Sequence, residues 1–107
     1  MNNKELLVYH KEACDKARAL TKRKNHDYAT AGDKQADAFK NLTMIEKLGV
    51  CSAQVGVLVR LTDKLSRLAN LLNKPARVVD ESIEDTGLDI INYIILLLAM
   101  RSDNAKR

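Results

Sequence analysis

The sequence predicts an all-α fold, a four-helix bundle, and three observations carry that prediction. Apolar residues recur at three- and four-residue intervals in four successive segments, the spacing of one helix face. The composition is 46% apolar, with one proline and only four residues that are Phe or Tyr. Gly32, Gly49 and Pro75 fall between the segments, where turn formers belong. At 107 residues the chain predicts one domain, 1–107, large enough for a core but not for two.

The first helix is expected over roughly residues 3–24, with Leu6, Leu7, Val8, Ala13, Cys14, Ala17 and Leu20 as its apolar side. A polar loop, Asn25-His26-Asp27-Tyr28-Ala29-Thr30-Ala31-Gly32, follows it. Asp33 is a suitable N-cap for the second helix, which carries Ala36, Phe39, Leu42, Ile45 and Leu48 and stops at Gly49. The third starts near Ser52 and reaches about Leu72. Leu58, Leu61, Leu65, Leu68 and Leu72 form its apolar row, and Arg60, Asp63, Arg67, Asn70 and Lys74 lie opposite. Asn73-Lys74-Pro75 ends it. The fourth is expected from about Asp80 to Arg101. Past Asn92 it is apolar on every side, which implies burial all round and hence a homo-oligomer joined along this helix.

The formal charge of +4 is unevenly spread, with Lys16, Arg18, Lys22, Arg23 and Lys24 clustered early. That balance permits phosphate or nucleic-acid binding without requiring it, and from charge alone a solvated helix face is the better account. Stacking aromatics are nearly absent, which disfavours nucleic acid as a partner. Cys14 and Cys51 are too few for a disulfide framework, and Cys14 fits a core position. No secretory h-region opens the chain, and no apolar run approaches the roughly 20 residues of a membrane span. A cytoplasmic protein with no membrane partner is expected.

The acidic segment carries the chemistry. Asp80, Glu81, Glu84, Asp85 and Asp89 place five acids in ten residues. Glu81, Asp85 and Asp89 are successive i, i+4 neighbours, so like charges stand close together and something must offset them. Asp80 and Glu81 could cap the helix and complement its positive end. Asp89 lies beyond the reach of that effect. A divalent cation is the sharper reading, and salt bridges to the basic stripe of the third helix are the other. Glu81 and Asp89 are roughly 12 Å apart along the axis, so one ion would be held by Glu81 with Asp85 or by Asp85 with Asp89. Mg²⁺ suits one or two carboxylates completed by water and substrate phosphates.

Arg60, Arg67, Lys74 and, at the stripe's edge, Lys64 are cations able to clamp phosphate, with Asp63 as a further ligand or an ion-pair partner. A plain solvent face is the alternative. Cations beside a carboxylate-held metal are the usual apparatus for polyphosphate. Neither His10 nor His26 has a ligand neighbour at metal spacing, and no glycine-rich phosphate loop exists.

Four blocks, in order, carry a resemblance: Lys24-Asn25-His26-Asp27-Tyr28, Asp37-Ala38-Phe39-Lys40-Asn41, Asp63-Lys64-Leu65-Ser66-Arg67-Leu68, and Asp80 to Thr86 with Asp89 and Tyr93. Over roughly residues 24–98 the chain resembles the nucleotide modification associated domain, a small family common in phages and bacteria and grouped with the MazG-like all-alpha NTP pyrophosphatases. The resemblance implies an oligomeric helical protein that binds a nucleotide through magnesium. It also implies hydrolysis of a nucleoside triphosphate between the α- and β-phosphates. By position, Glu81 and Asp85 would be the catalytic metal ligands, with Asp89 assisting. Lys64 and Arg67 would contact phosphate, and Asp27, Tyr28 and Asn70 would line the nucleotide pocket.

Two departures stand out. The superfamily's second acidic motif, E-E-x-x-E on the preceding helix, is replaced by Asp63-Lys64-Leu65-Ser66-Arg67. The loop reads Asp-Tyr-Ala where relatives often have Asp-Tyr-Gly. The expected function is therefore a magnesium-dependent nucleoside triphosphate pyrophosphohydrolase acting on free (deoxy)nucleotides. The alternative is a protein of the same fold that binds a nucleotide or nucleotide second messenger without turnover.

Overall fold

The computed structural model describes residues 1–25, 37–74 and 76–105, with the side chains of residues 25, 76–81 and 105 outside that description. Four helices run in the order α1 (Asn3–Asn25), α2 (Lys40–Lys47), α3 (Ala53–Leu72) and α4 (Ala76–Ala105), with no strand among the described residues. The all-α class expected from the sequence is the class observed. The chain divides into two units, Met1–Ala36 and Asp37–Arg107.

In the first unit, α1 is opened by Asn2, whose Oδ1 accepts from the Glu5 N–H at 2.8 Å while a Glu5 carboxylate oxygen accepts from the Asn2 N–H at 3.2 Å. This reciprocal capping satisfies donors that the first turn would otherwise leave open. The Lys11 ammonium meets Asp15 at 2.9 Å one turn on, and that carboxylate raises the Lys11 pKa above its ordinary value. The expected apolar side does not form one buried face. Ala17 is buried and Ala13 and Leu20 half-buried, but Leu6, Leu7, Val8 and Cys14 are exposed. Leu6, Leu7 and Val8 are consecutive and therefore point in three directions round the helix. Cys14 is accordingly not a core residue, and its Sγ lies 3.8 Å from Nδ1 of His10.

The second unit is built on α2, α3 and α4. The expected cap at Asp33 lies outside the described residues, and α2 as described begins at Lys40. Its entry is set by Asp37, whose carboxylate accepts from the Phe39 N–H at 2.9 Å. Gly49 stops α2 as expected. It takes φ +74, while its N–H reaches the Glu46 carbonyl at 2.9 Å and the Val50 N–H reaches that of Ile45 at 3.2 Å. That is the Schellman pattern of closure, with glycine in the left-handed position.

Two caps start α3. Ser52 Oγ accepts from the Val55 N–H at 3.1 Å, and Glu46 reaches across from α2 to accept from the Ala53 N–H at 2.7 Å. Ala53 and Gly56 are both buried, and a Cβ on Gly56 would meet Ile45 Cδ1 at 3.0 Å, so small residues let α2 lie close on α3. The core comprises Leu42, Ala53, Val57, Leu61 and Met100, with Phe39, Ile90, Tyr93, Leu96 and Leu97 packed against it.

This core corrects the apolar row expected on α3. Leu61 is buried and Leu68 half-buried, but Leu58, Leu65 and Leu72 are exposed. The helix has two apolar rows, and the one that packs runs through Ala53, Val57, Leu61 and Leu71. A second correction concerns α4, which begins at Ala76, a turn before the expected start at Asp80. No acid stands in its first turn. The third-helix terminus is as expected, with α3 ending at Leu72 and the Asn73 and Lys74 N–H groups folding back on the Asn70 and Leu71 carbonyls at 3.3 and 3.1 Å.

Candidate functional site

The start of α4 at Ala76 changes the meaning of the acidic segment. Asp80 and Glu81 sit in the helix's second turn, not at its N-terminus. The influence of the helix dipole fades within the first turn, so capping does not account for these acids. Asp85 and Asp89 lie deeper still. Like charges at i, i+4 spacing then remain a cost that some other cation must offset.

One such cation is present. Lys64 Nζ on α3 lies 3.1 Å from Asp89 Oδ2 on α4, with side chains 29% and 15% exposed. The pair sits at the boundary between core and solvent because α3 turns its buried row toward α4 and places Lys64 at that row's edge. On α4 the polar side chains continue beside the core. Asp85 is exposed, Asp89 and Asn92 are half-buried, and Thr86 is buried, its hydroxyl donating to the Ser82 carbonyl at 2.7 Å. Thr86 and Asn92 gave no pattern of their own in the sequence. A hydroxyl directly after Asp85 inside a helix, and an amide three residues after Asp89, were the available signals.

The other expected site residues separate into three groups. Asp27 and Tyr28 lie outside the described residues, and so does the side chain of Glu81. Asp63, Arg67 and Asn70 are exposed on α3, as the expected polar stripe requires. Lys64 and Asp89 are joined. Among the described residues no three His, Cys, Asp or Glu side chains gather to hold a metal, so Asp63 does not complete a cluster with Asp85 and Asp89.

The described donors therefore supply at most a pair of carboxylates for an ion. Such a set fits Mg²⁺, which takes one or two carboxylates and draws its remaining ligands from water and phosphate. It does not fit an all-protein cage. One Asp89 oxygen already faces the Lys64 ammonium, whereas the Asp85 carboxylate, one turn earlier on α4, is exposed.

Fold and site together define an all-α protein whose last two helices are bridged by a lysine–aspartate pair beneath an acidic segment. The model of the family described as "Nucleotide modification associated domain 1" matches residues 24–100. The chain belongs to that family. Comparison with curated proteins and with solved structures gave no match. No helix among the described residues is long and apolar enough to cross a membrane.

Proposed function

We propose that this protein binds a free (deoxy)nucleotide through its phosphates along the α3–α4 seam and acts as a magnesium-dependent nucleoside triphosphate pyrophosphohydrolase of the MazG-like kind. The observation that carries this reading is the acidic segment inside α4, too far from the helix start for capping and bridged by Lys64 to α3. Glu81 and Asp85 would hold Mg²⁺, with Asp89 behind them; the ion would supply charge stabilisation for the phosphate oxygens. Lys64 and Arg67 provide cations for the phosphates, and the family resemblance assigns Asn70, Asp27 and Tyr28 to the nucleotide's recognition. The protein is cytoplasmic and assembles with copies of itself along α4.

Purified protein with Mg²⁺ should release pyrophosphate from at least one dNTP in a panel, and Asp85→Ala should abolish the release while the circular dichroism spectrum is unchanged. No turnover of any nucleotide would remove the enzyme reading.

A second reading, binding without turnover, is supported by the Lys64–Asp89 pair itself. A lysine stands where the superfamily has an acid, and it occupies an oxygen that a second ion would need. Calorimetry distinguishes the two. Tight binding that persists in EDTA, with the nucleotide recovered intact, favours sequestration.

A further inference from the structure

One face of α4 is apolar and faces outward. Ile91, Ile94, Ile95 and Leu98 are 37%, 41%, 54% and 60% exposed. At 3.6 residues per turn they occupy an arc of about 100°, on the side away from Thr86, Ile90, Tyr93, Leu97 and Met100. The core and this stripe are therefore separate apolar surfaces of one helix, and only the first is used within the second unit.

Gly87 lies in line with the stripe, one turn before Ile91. A Cβ built there meets nothing within 4 Å. A mid-helix glycine weakens the helix, and here no close packing inside the described chain requires it. Charge is also unevenly placed along the line. Glu84 stands at the N-terminal end of the stripe and Arg101 at its C-terminal end, whereas Asp103 falls on another side of the helix.

We infer that this stripe docks against the same stripe of a second copy, with the two α4 helices antiparallel. An isologous contact presents one patch to itself. Parallel helices would set Glu84 against Glu84 and Arg101 against Arg101. Antiparallel helices, centred between Asn92 and Tyr93, bring Glu84 level with Arg101 of the partner subunit, Ile91 level with Ile94 of the partner subunit, and Gly87 level with Leu98 of the partner subunit. The glycine then leaves room for that leucine, a gap that no packing among the described residues explains. The inference rests on the assembly stated above and adds its surface, partner and orientation; it is independent of the nucleotide chemistry.

Sedimentation of the full chain across 5–200 µM tests it. The wild type should be dimeric. Ile95→Glu, at an exposed position, should raise the dimer dissociation constant at least tenfold with unchanged helicity. Gly87→Leu should do the same although leucine is the better helix former. Arg101→Glu should weaken the dimer, and adding Glu84→Arg should restore it. A monomeric wild type overturns the assembly itself; if Ile95→Glu then also lowers the unfolding midpoint, another part of the same chain covers the stripe. An oligomer unmoved by Ile95→Glu and Gly87→Leu overturns only the surface, because the copies then meet elsewhere. Failure of Glu84→Arg to rescue Arg101→Glu overturns the antiparallel arrangement.

Discussion

Lys64→Met removes an ammonium that bridges α3 and α4 while keeping most of the side chain's apolar stem. The pair it breaks is neither a surface pair nor a buried one, with exposures of 29% and 15%. Exposed pairs contribute about 0.2–1 kcal/mol, and removing one partner of a fully buried pair costs about 3–5 kcal/mol. At intermediate burial the loss should be about 2 kcal/mol, since Asp89 keeps its charge in a half-buried position without this cation. With a urea slope of about 1.3 kcal/mol/M for a chain of this size, the unfolding midpoint should fall by about 1.5 M. Asp89→Leu alone and the double variant Lys64→Met/Asp89→Leu complete a cycle, and the coupling should be about 1 kcal/mol. A coupling below about 0.3 kcal/mol would refute the argument that this pair ties the acidic segment to α3.

Val57 is fully buried, and Val57→Ala should cost about 2 kcal/mol in urea unfolding, two methylenes plus the cavity they leave. Ser52→Ala should cost about 1 kcal/mol, because it removes the oxygen that accepts from the Val55 N–H. Gly56→Val should lower thermal stability by an amount corresponding to about 1–3 kcal/mol, since even a Cβ there meets Ile45 at 3.0 Å. Ser52→Gly should be milder than Ser52→Ala by several tenths of a kcal/mol, a comparison that separates capping from helix propensity.

Several elements were legible because their causes are local. Ser52 as the cap of α3 and Gly49 as the end of α2 follow from hydrogen-bond donors and a positive φ that few residues accept. The acidic run and the polar stripe of Arg60, Asp63, Arg67 and Asn70 were equally legible, because helical spacing alone places such residues together. Where the sequence misled, several answers were locally equivalent. The leucines of α3 form a regular row, yet periodicity cannot rank that row against the one through Ala53, Val57 and Leu71, with which it shares Leu61. Asp80 and Glu81 read as a helix start because acids favour first turns, but the helix had already begun at Ala76.

By itself, then, the chain determined its class, its stops and starts at Gly49 and Ser52, and the residues able to bear charge chemistry. Those outcomes depend on forces acting within a turn or two of backbone. Tertiary structure decided which apolar row of α3 is core, that Lys64 rather than Arg67 meets Asp89, and that Ile91, Ile94, Ile95 and Leu98 remain outside. The physical reason is steric. Ala53 and Gly56 let α2 approach one side of α3, and burial of that side fixes which residues face α4.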